Sequence, residues 1–438
     1  MNRGLLFLVT IPLAIVLGAA SALAQAVTDP EIYSLHAQTT LVVQYHPAFR
    51  SAYRGANSLD PGSRGDETFD ATLFAGARLW RGAEAYADVE ADQGFGLSNT
   101  LGVAGFLSGE AYKIGASSPY FRVPRLFLRQ TFDLDGAEMP VESDANQLAT
   151  TRASNHVTLT LGKFGVTDIF DTNRYAHDPR ADFLNWSIID AGAFDYAADA
   201  WGYSYGGAAE WTEDWWTLRT GAFDLSRVPN SRFLQRDFSQ FEIVSELELR
   251  STVGGFQDKI KFLAFVNRGR TGGYDEAIAA AHGGTPDTAS VRDYASRPGF
   301  TLNVEQQVGD DWGLFLRASA NDGSKEAYEF TEINKSISGG VSLGGSGCGR
   351  PDDTLGIAGV VNGISKPAQR YFAAGGLGIL IGDGRLRYEP EEILEAYYSL
   401  SAAAHYALSL DYQFVLNPAY NADRGPVSVF GIRLHAGI

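Results

Sequence analysis

The stretch LSLDYQFVLNPAYNADRGPVSVFGIRLHAGI, residues 408–438, decides the fold. It reads as two strands around one loop. In the first, Leu408, Leu410, Tyr412, Phe414 and Leu416 alternate with Ser409, Asp411, Gln413 and Val415. In the second, Phe430, Ile432, Leu434, Ala436 and Ile438 alternate with Val429, Gly431, Arg433, His435 and Gly437. Strand side chains point to opposite faces with period two, so each strand has an apolar face and a mostly polar one. The intervening NPAYNADRGP, residues 417–426, is rich in turn formers. A strand running to the last residue is unusual, because chain ends normally fray. It is expected in a closed transmembrane barrel, whose last strand pairs with the first so that no edge meets lipid.

Worked outward from this hairpin, the chain predicts sixteen strands. They cover 39–46, 69–80, 83–92, 125–132, 156–164, 201–211, 215–223, 241–250, 260–267, 300–308, 312–321, 333–343, 354–361 and 392–400, with the hairpin last. Very short links (81–82, 212–214, 309–311, 401–404) tend to alternate with long ones (93–124, 165–200, 268–299, 362–391). Short turns at one rim and long loops at the other are the transmembrane-barrel pattern. Two connections, 135–155 and 344–353, are long where short ones belong. An even count near sixteen closes around an aqueous lumen, and strands of nine to eleven residues suit the bilayer. Short helices are expected over 274–281 and 99–114, inside long loops.

The first residues read as a secretory signal. Arg3 is the positive charge, 5–17 an apolar run, and Ala22-Leu23-Ala24 the cleavage pattern. The expected division is 1–24 signal peptide and 25–438 one barrel domain. A mean hydropathy of -0.12 does not argue against a barrel, since barrels alternate polar with apolar. The 20 Tyr and 26 Phe supply material for aromatic girdles. A net charge of -17 disfavours nucleic acid, which needs basic surface. Cys348 is the single cysteine, so no disulfide forms within the chain; it reads as filler in a Gly-rich turn.

The polar strand faces carry Arg78, Arg125, Arg129, Arg219, Arg317 and Arg433, and Glu84, Asp88, Glu90, Glu242, Glu246, Glu248 and Asp411. In a lumen such charges either solvate one another or set a field and hydrogen-bond a passing solute. The hairpin from Arg78 to Glu90 sets opposite charges on one face across a tight turn. The link DIFDTNRYAHDPRADFLNW, residues 168–186, mixes both charges with aromatics and is too long for a plain connector. An enzyme is not indicated: His46, His156, His177, His282, His405 and His435 are widely spread, and neither GxSxG nor a phosphate loop occurs. His435 and Ser409, neighbours in the last hairpin, would face the lumen. The acidic turns 349–354 and 420–425 lack calcium-loop spacing and read as capped turns. No cofactor or metal is expected.

The stretches LGKFGVTDIFDTNRYAHDPRADFLNW, FTEINKSISGGVSLGG, RPDDTLGIAGVVNGIS, AAGGLGILIGDG and NPAYNADRGPVSVFGIRLHAGI resemble the OprB-type carbohydrate-selective porins, in order along nearly the whole mature chain. Two departures are Ile438 at the end, where Phe or Trp is usual, and Cys348. The resemblance implies an all-β transmembrane antiparallel barrel of about sixteen strands, with long extracellular loops partly folded into the lumen. It implies passive, substrate-preferring diffusion of glucose-type monosaccharides through an eyelet of arginines and carboxylates. The residues expected there are Arg78, Glu84, Asp88, Glu90, Arg125, Arg129, Arg174, Asp178, Arg180 and Trp186. Expected partners are monosaccharides and small solutes, outer-membrane lipid and the barrel-insertion machinery, with the chain a monomer or homotrimer. The alternatives are a general diffusion porin without a sugar site and a soluble exported carbohydrate-binding β-protein.

Overall fold

The computed structural model describes residues 30–111, 115–330 and 332–438; the signal segment 1–24 lies outside them. The strands are β1 (Tyr33–His46), β2 (Arg64–Trp80), β3 (Ala83–Gly94), β4 (Ala116–Arg122), β5 (Leu126–Asp133), β6 (Glu138–Val141), β7 (Thr150–Ala153), β8 (His156–Phe164), β9 (Ser204–Glu213) and β10 (Trp216–Asp224). They continue with β11 (Phe241–Val253), β12 (Phe256–Thr271), β13 (Asp293–Gln307), β14 (Trp312–Asn321), β15 (Lys335–Gly344), β16 (Thr354–Gly363), β17 (Glu391–Ala403), β18 (Tyr406–Leu416) and β19 (Val427–Gly437). Among the described residues β4 and β5 form one interrupted course, β6 and β7 a separate hairpin, and the rest complete a closed antiparallel barrel of sixteen strands. β19 closes it on β1, from Gln38 opposite Gly437 to Tyr45 opposite Phe430.

Alternation sorts the side chains as the sequence predicts. Leu161 and Phe300 are 66% and 64% exposed on the outer face, while Glu246 and Arg317 are 1% exposed inside. That outer apolar belt would drive association in water; in a bilayer it is the solvated face. Trp80, Trp211, Trp215 and Trp312 stand exposed beside the short turns, a girdle at that rim. No described helix is long and apolar enough to cross a membrane.

Several expectations need correction. Some strands run further than nine to eleven residues, β2 with 17 and β12 with 16, while others such as β8 with 9 and β19 with 11 keep to that span. The link expected over 93–124 contains β4. The helix expected over 99–114 does not form: the described part holds two single 3-10 turns, Leu97–Thr100 and Gly109–Ala111, and three of its residues lie outside the described ones. The other expected helix is present as Tyr274–Ala280, and Trp186–Ile189 and Lys366–Ala373 form helices that were not expected. The two long connections at the short-turn rim are real. One carries the β6–β7 hairpin; the other holds a 3-10 turn at Ser346–Cys348.

Candidate functional site

The connection 165–203 is bound to inward-facing side chains of much of the barrel wall. Arg317 of β14 donates to Ile188 O and Ala176 O, both at 2.8 Å, and pairs with Asp171 at 3.3 Å. Arg433 of β19 donates to the carbonyls of Pro179, Ala181 and Asp182. Glu246 accepts from Asp171 N at 2.8 Å, and Glu395 from the N–H groups of Leu184 and Asn185. Asn185 caps the helix Trp186–Ile189 by accepting from Ser187 N. Close approach is possible because Gly313 has no side chain: the Tyr175 ring lies where a Cβ would be. A buried loop must pair its backbone polar groups, and here wall side chains supply the partners.

Toward β2, β3, β4, β5 and β8 the lumen stays open as a cavity of about 630 Å³, within the ~300–1,000 Å³ of ordinary small-molecule sites. Three arginines descend its wall. Arg122 pairs with Glu90 and Asp92 of β3. Arg125 donates twice to Asp168 of the connection, Nε at 2.8 Å and Nη2 at 2.6 Å, and lies 3.4 Å from Asp88. Arg129 donates to the Asn146 carbonyl at 2.9 Å. Aromatic rings back all three: the guanidinium carbons of Arg122 and Arg125 lie 5.1 and 5.0 Å from the Tyr203 ring centre, and that of Arg129 lies 5.2 Å from Tyr86. Arg180 faces them, 3.3 Å from Glu110 and 3.6 Å from Asp70.

A bulge sets this ladder. Glu90 stands opposite Arg122 and Ala87 opposite Leu126, so two residues of β3 face Val123, Pro124 and Arg125. Pro124 has no N–H to donate and is tolerated there. The extra residue reverses the alternation: even positions face inward in β4 and odd ones in β5. Without it Arg122 would face lipid and Phe121, now 77% exposed outside, would face the lumen.

The connection also brings titratable groups. Burial would raise the Asp168 carboxyl, but Arg125 outweighs it and holds it below its usual range. Asp190 is pushed up to about 7, by burial and then by the charge of Asp171. One Asp190 oxygen accepts from Tyr196 Oη at 3.2 Å; the other has no hydrogen-bond partner and lies 3.8 Å from His177 Nδ1.

This arrangement, a closed barrel narrowed to a cavity of stacked guanidiniums opposite carboxylates, accords with what the chain matches. The profile of the family described as carbohydrate-selective porin, OprB family, fits residues 56–437. The chain belongs to that family. No curated protein sequence matches it. Among solved structures, OprB of Pseudomonas putida at high pH aligns with a TM-score of 0.71 and 13% identity, over 93% of this chain and 94% of the other. The outer membrane channel DcaP of Acinetobacter baumannii aligns with a TM-score of 0.50 and 10% identity, over 93% and 97%. At such identities these two likenesses speak for the fold alone. The protein is thus a porin, a channel of the Gram-negative outer membrane.

Of the residues expected at the porin's eyelet, Glu90, Arg125, Arg129, Asp178, Arg180 and Trp186 line the cavity. Asp88 stands behind Arg125. Arg78 and Glu84 do not line it: they pair at 3.2 Å nearer the periplasmic rim, where Arg78 holds the carbonyls of Glu31 and Ala149. Arg174 does not line it either. It is exposed, 5.7 Å from the Tyr175 ring, in a separate cavity of about 380 Å³. Sequence reasoning missed Arg122, Asp92, Glu110, Asp190 and Tyr203. Arg122 sits in SSPYFRVP, where Pro119 and Pro124 read as loop; the signal was Tyr120 and Arg122 alternating with Phe121. His435 bonds Thr40, while Ser409 bonds Ser399 and Arg433, so those two form no pair. In the acidic turns, Asp353 is held by Arg350 and Asp423 by Arg387.

Proposed function

We propose that this porin passes monosaccharides of the glucose type by passive, substrate-preferring diffusion, and that the arginine ladder is its sugar-contacting wall. The observation that carries this is Arg122, Arg125 and Arg129, each against an aromatic ring and opposite carboxylates, in one cavity. A sugar offers hydroxyls that both donate and accept, and an apolar ring face. Guanidinium forks donate, carboxylates accept, and aromatic edges cover the apolar face. Glu90, Arg125, Arg129, Asp178, Arg180 and Trp186 are the contacts we assign from the original set, with Arg122 and Tyr203 added. Asp88 supports Arg125, and Arg78, Glu84 and Arg174 act away from the sugar. Residues 1–24 direct export, 25–438 form the barrel, and the insertion machinery assembles it.

Liposome swelling tests the reading. Glucose is expected to enter faster than an uncharged ethylene-glycol oligomer of equal radius, and to block single-channel current. Equal rates with no block would reduce the protein to a general diffusion pore.

A further inference from the structure

The connection 134–155 is long at the rim where turns are short. Its outer part is the β6–β7 hairpin. Its tip turns back into the barrel. Asn146 takes a left-handed conformation, φ 56°, in the tight turn that pairs Asp144 with Gln147. Its side-chain Nδ2 donates to Asp88 at 3.0 Å, and its carbonyl accepts from Arg129 at 2.9 Å. The tip is therefore bound to the arginine ladder. Leu148 is 1% exposed, and its N–H donates to Tyr86 Oη at 3.1 Å. Ala149 donates to Glu31 at 2.8 Å, while Arg78 reaches both their carbonyls.

Residues 144–147 line the same cavity as the ladder, at the end away from Trp201 and Tyr203. The Asn146 Oδ1 atom is buried without a hydrogen-bond partner. Length alone does not produce this arrangement. The other long periplasmic connection, 345–353, leaves 346–350 exposed.

We propose that the tip of 134–155 is a second, periplasmic selectivity element, with Asn146 the residue that meets the solute as it leaves the ladder. The sugar as solute rests on the function proposed above; the narrowing does not. A solute thus passes two elements from opposite rims, the extracellular connection 165–203 and this periplasmic one. Anchored by a side chain of β2, two of β3 and one of β5, the tip is a fixed part of the pore wall rather than a swinging cover.

The test uses the full chain in planar bilayers. Asn146→Cys is made in a Cys348→Ser background and treated with a small anionic methanethiosulfonate. Expected is a fall of potassium chloride conductance by more than half, with faster modification from the periplasmic side. The comparison, Gly347→Cys on the exposed connection, is expected to be modified without a change in conductance. A position 146 that is modified without a fall in current, or that cannot be modified, overturns the proposal. Replacing 136–153 by two glycines is a second arm. If it inserts, conductance should at least double and a disaccharide should enter; unchanged conductance overturns the proposal again. Failure of either conductance arm with glucose preference intact defeats only the periplasmic element. Success with no preference for glucose defeats only the sugar reading.

Discussion

Glu246 on β11 and Glu395 on β17 face the lumen and accept backbone N–H groups of the 165–203 connection. Glu90 and Asp92 on β3 face the same lumen and meet arginine instead. Arg317 and Arg433 spend their donors on loop carbonyls; Arg122, Arg125 and Arg129 line a cavity. The two sides of the barrel carry the same residue types on the same alternation. What stands opposite decides their role. Where a loop fills the lumen, charges serve as hydrogen-bond partners for its backbone. On the ladder side, arginines and carboxylates pair mainly with one another and together line the open cavity. A buried charge is thus weak evidence for a binding site until the groups facing it are known.

The largest effect is expected on the filled side. Arg317→Met removes the donors to Ile188 and Ala176 and leaves Asp171 without its cation. Breaking such a pair costs roughly 3–5 kcal/mol. Thermal unfolding in detergent should drop accordingly, and single-channel conductance should rise as the connection loosens. Wild-type values for both would show that this half is not held as described.

On the open side the effect should fall on the solute and not on the barrel. Arg122→Lys keeps the charge but loses the fork that spans Glu90 and Asp92. Losing one charge-assisted hydrogen bond to sugar is worth ~1.5–3 kcal/mol, about tenfold or more in affinity. Sugar block of the current should weaken by that factor, with a smaller stability loss than Arg317→Met. The reverse order would erase the distinction between the two sides.

How much of this was legible follows from what period two can report. Alternation tells which way a side chain points, so the barrel strands other than β4 and the β1–β19 closure could be read. It does not tell what lies across the lumen. Arg317 and Arg125 look alike in sequence, and only the path of 165–203 separates them. Reading Arg122 required the bulge at Val123 and Pro124, which reverses the alternation that made its neighbours readable. The loop residues Glu110 and Asp190 carry no periodic signal, because a connection pinned by wall side chains has no repeat of its own. Yet 135–155 and 344–353 stood out in length at the short-turn rim, and of those two it is 135–155 that enters the cavity.

The boundary between the two sides should respond to pH through Asp190. Its carboxyl is pushed up to about 7, so it is mostly protonated at pH 6 and ionised at pH 8. Raising pH across that window adds a negative charge to the cavity wall, and the ratio of potassium to chloride permeability should rise. The facing groups are His177, held low by burial and by Arg317, with Tyr196, Asp171 and Arg317 itself. A carboxyl raised on folding holds its proton more tightly folded than unfolded. It contributes stability below its ordinary range near 3.8, and that contribution is lost as pH rises toward 7. Reversal potentials at pH 6 and 8 check the permeability, and Asp190→Asn should remove the Asp190 component of the change.

The smallest effect is expected at Arg174, an exposed arginine of the same connection on the far side from the ladder. Its guanidinium lies 5.7 Å from the Tyr175 ring, in a cavity shared with Asp310 and Asp311 of a periplasmic turn. An arginine there acts on a sugar only through a screened field, which decays over about 8 Å at physiological salt. Arg174→Ala should therefore change sugar block by less than twofold, and that small change should vanish at high salt, while Arg122→Lys keeps its tenfold loss. An Arg174 effect as large as that of Arg122, and unaffected by salt, would move sugar contact to the other side of the connection.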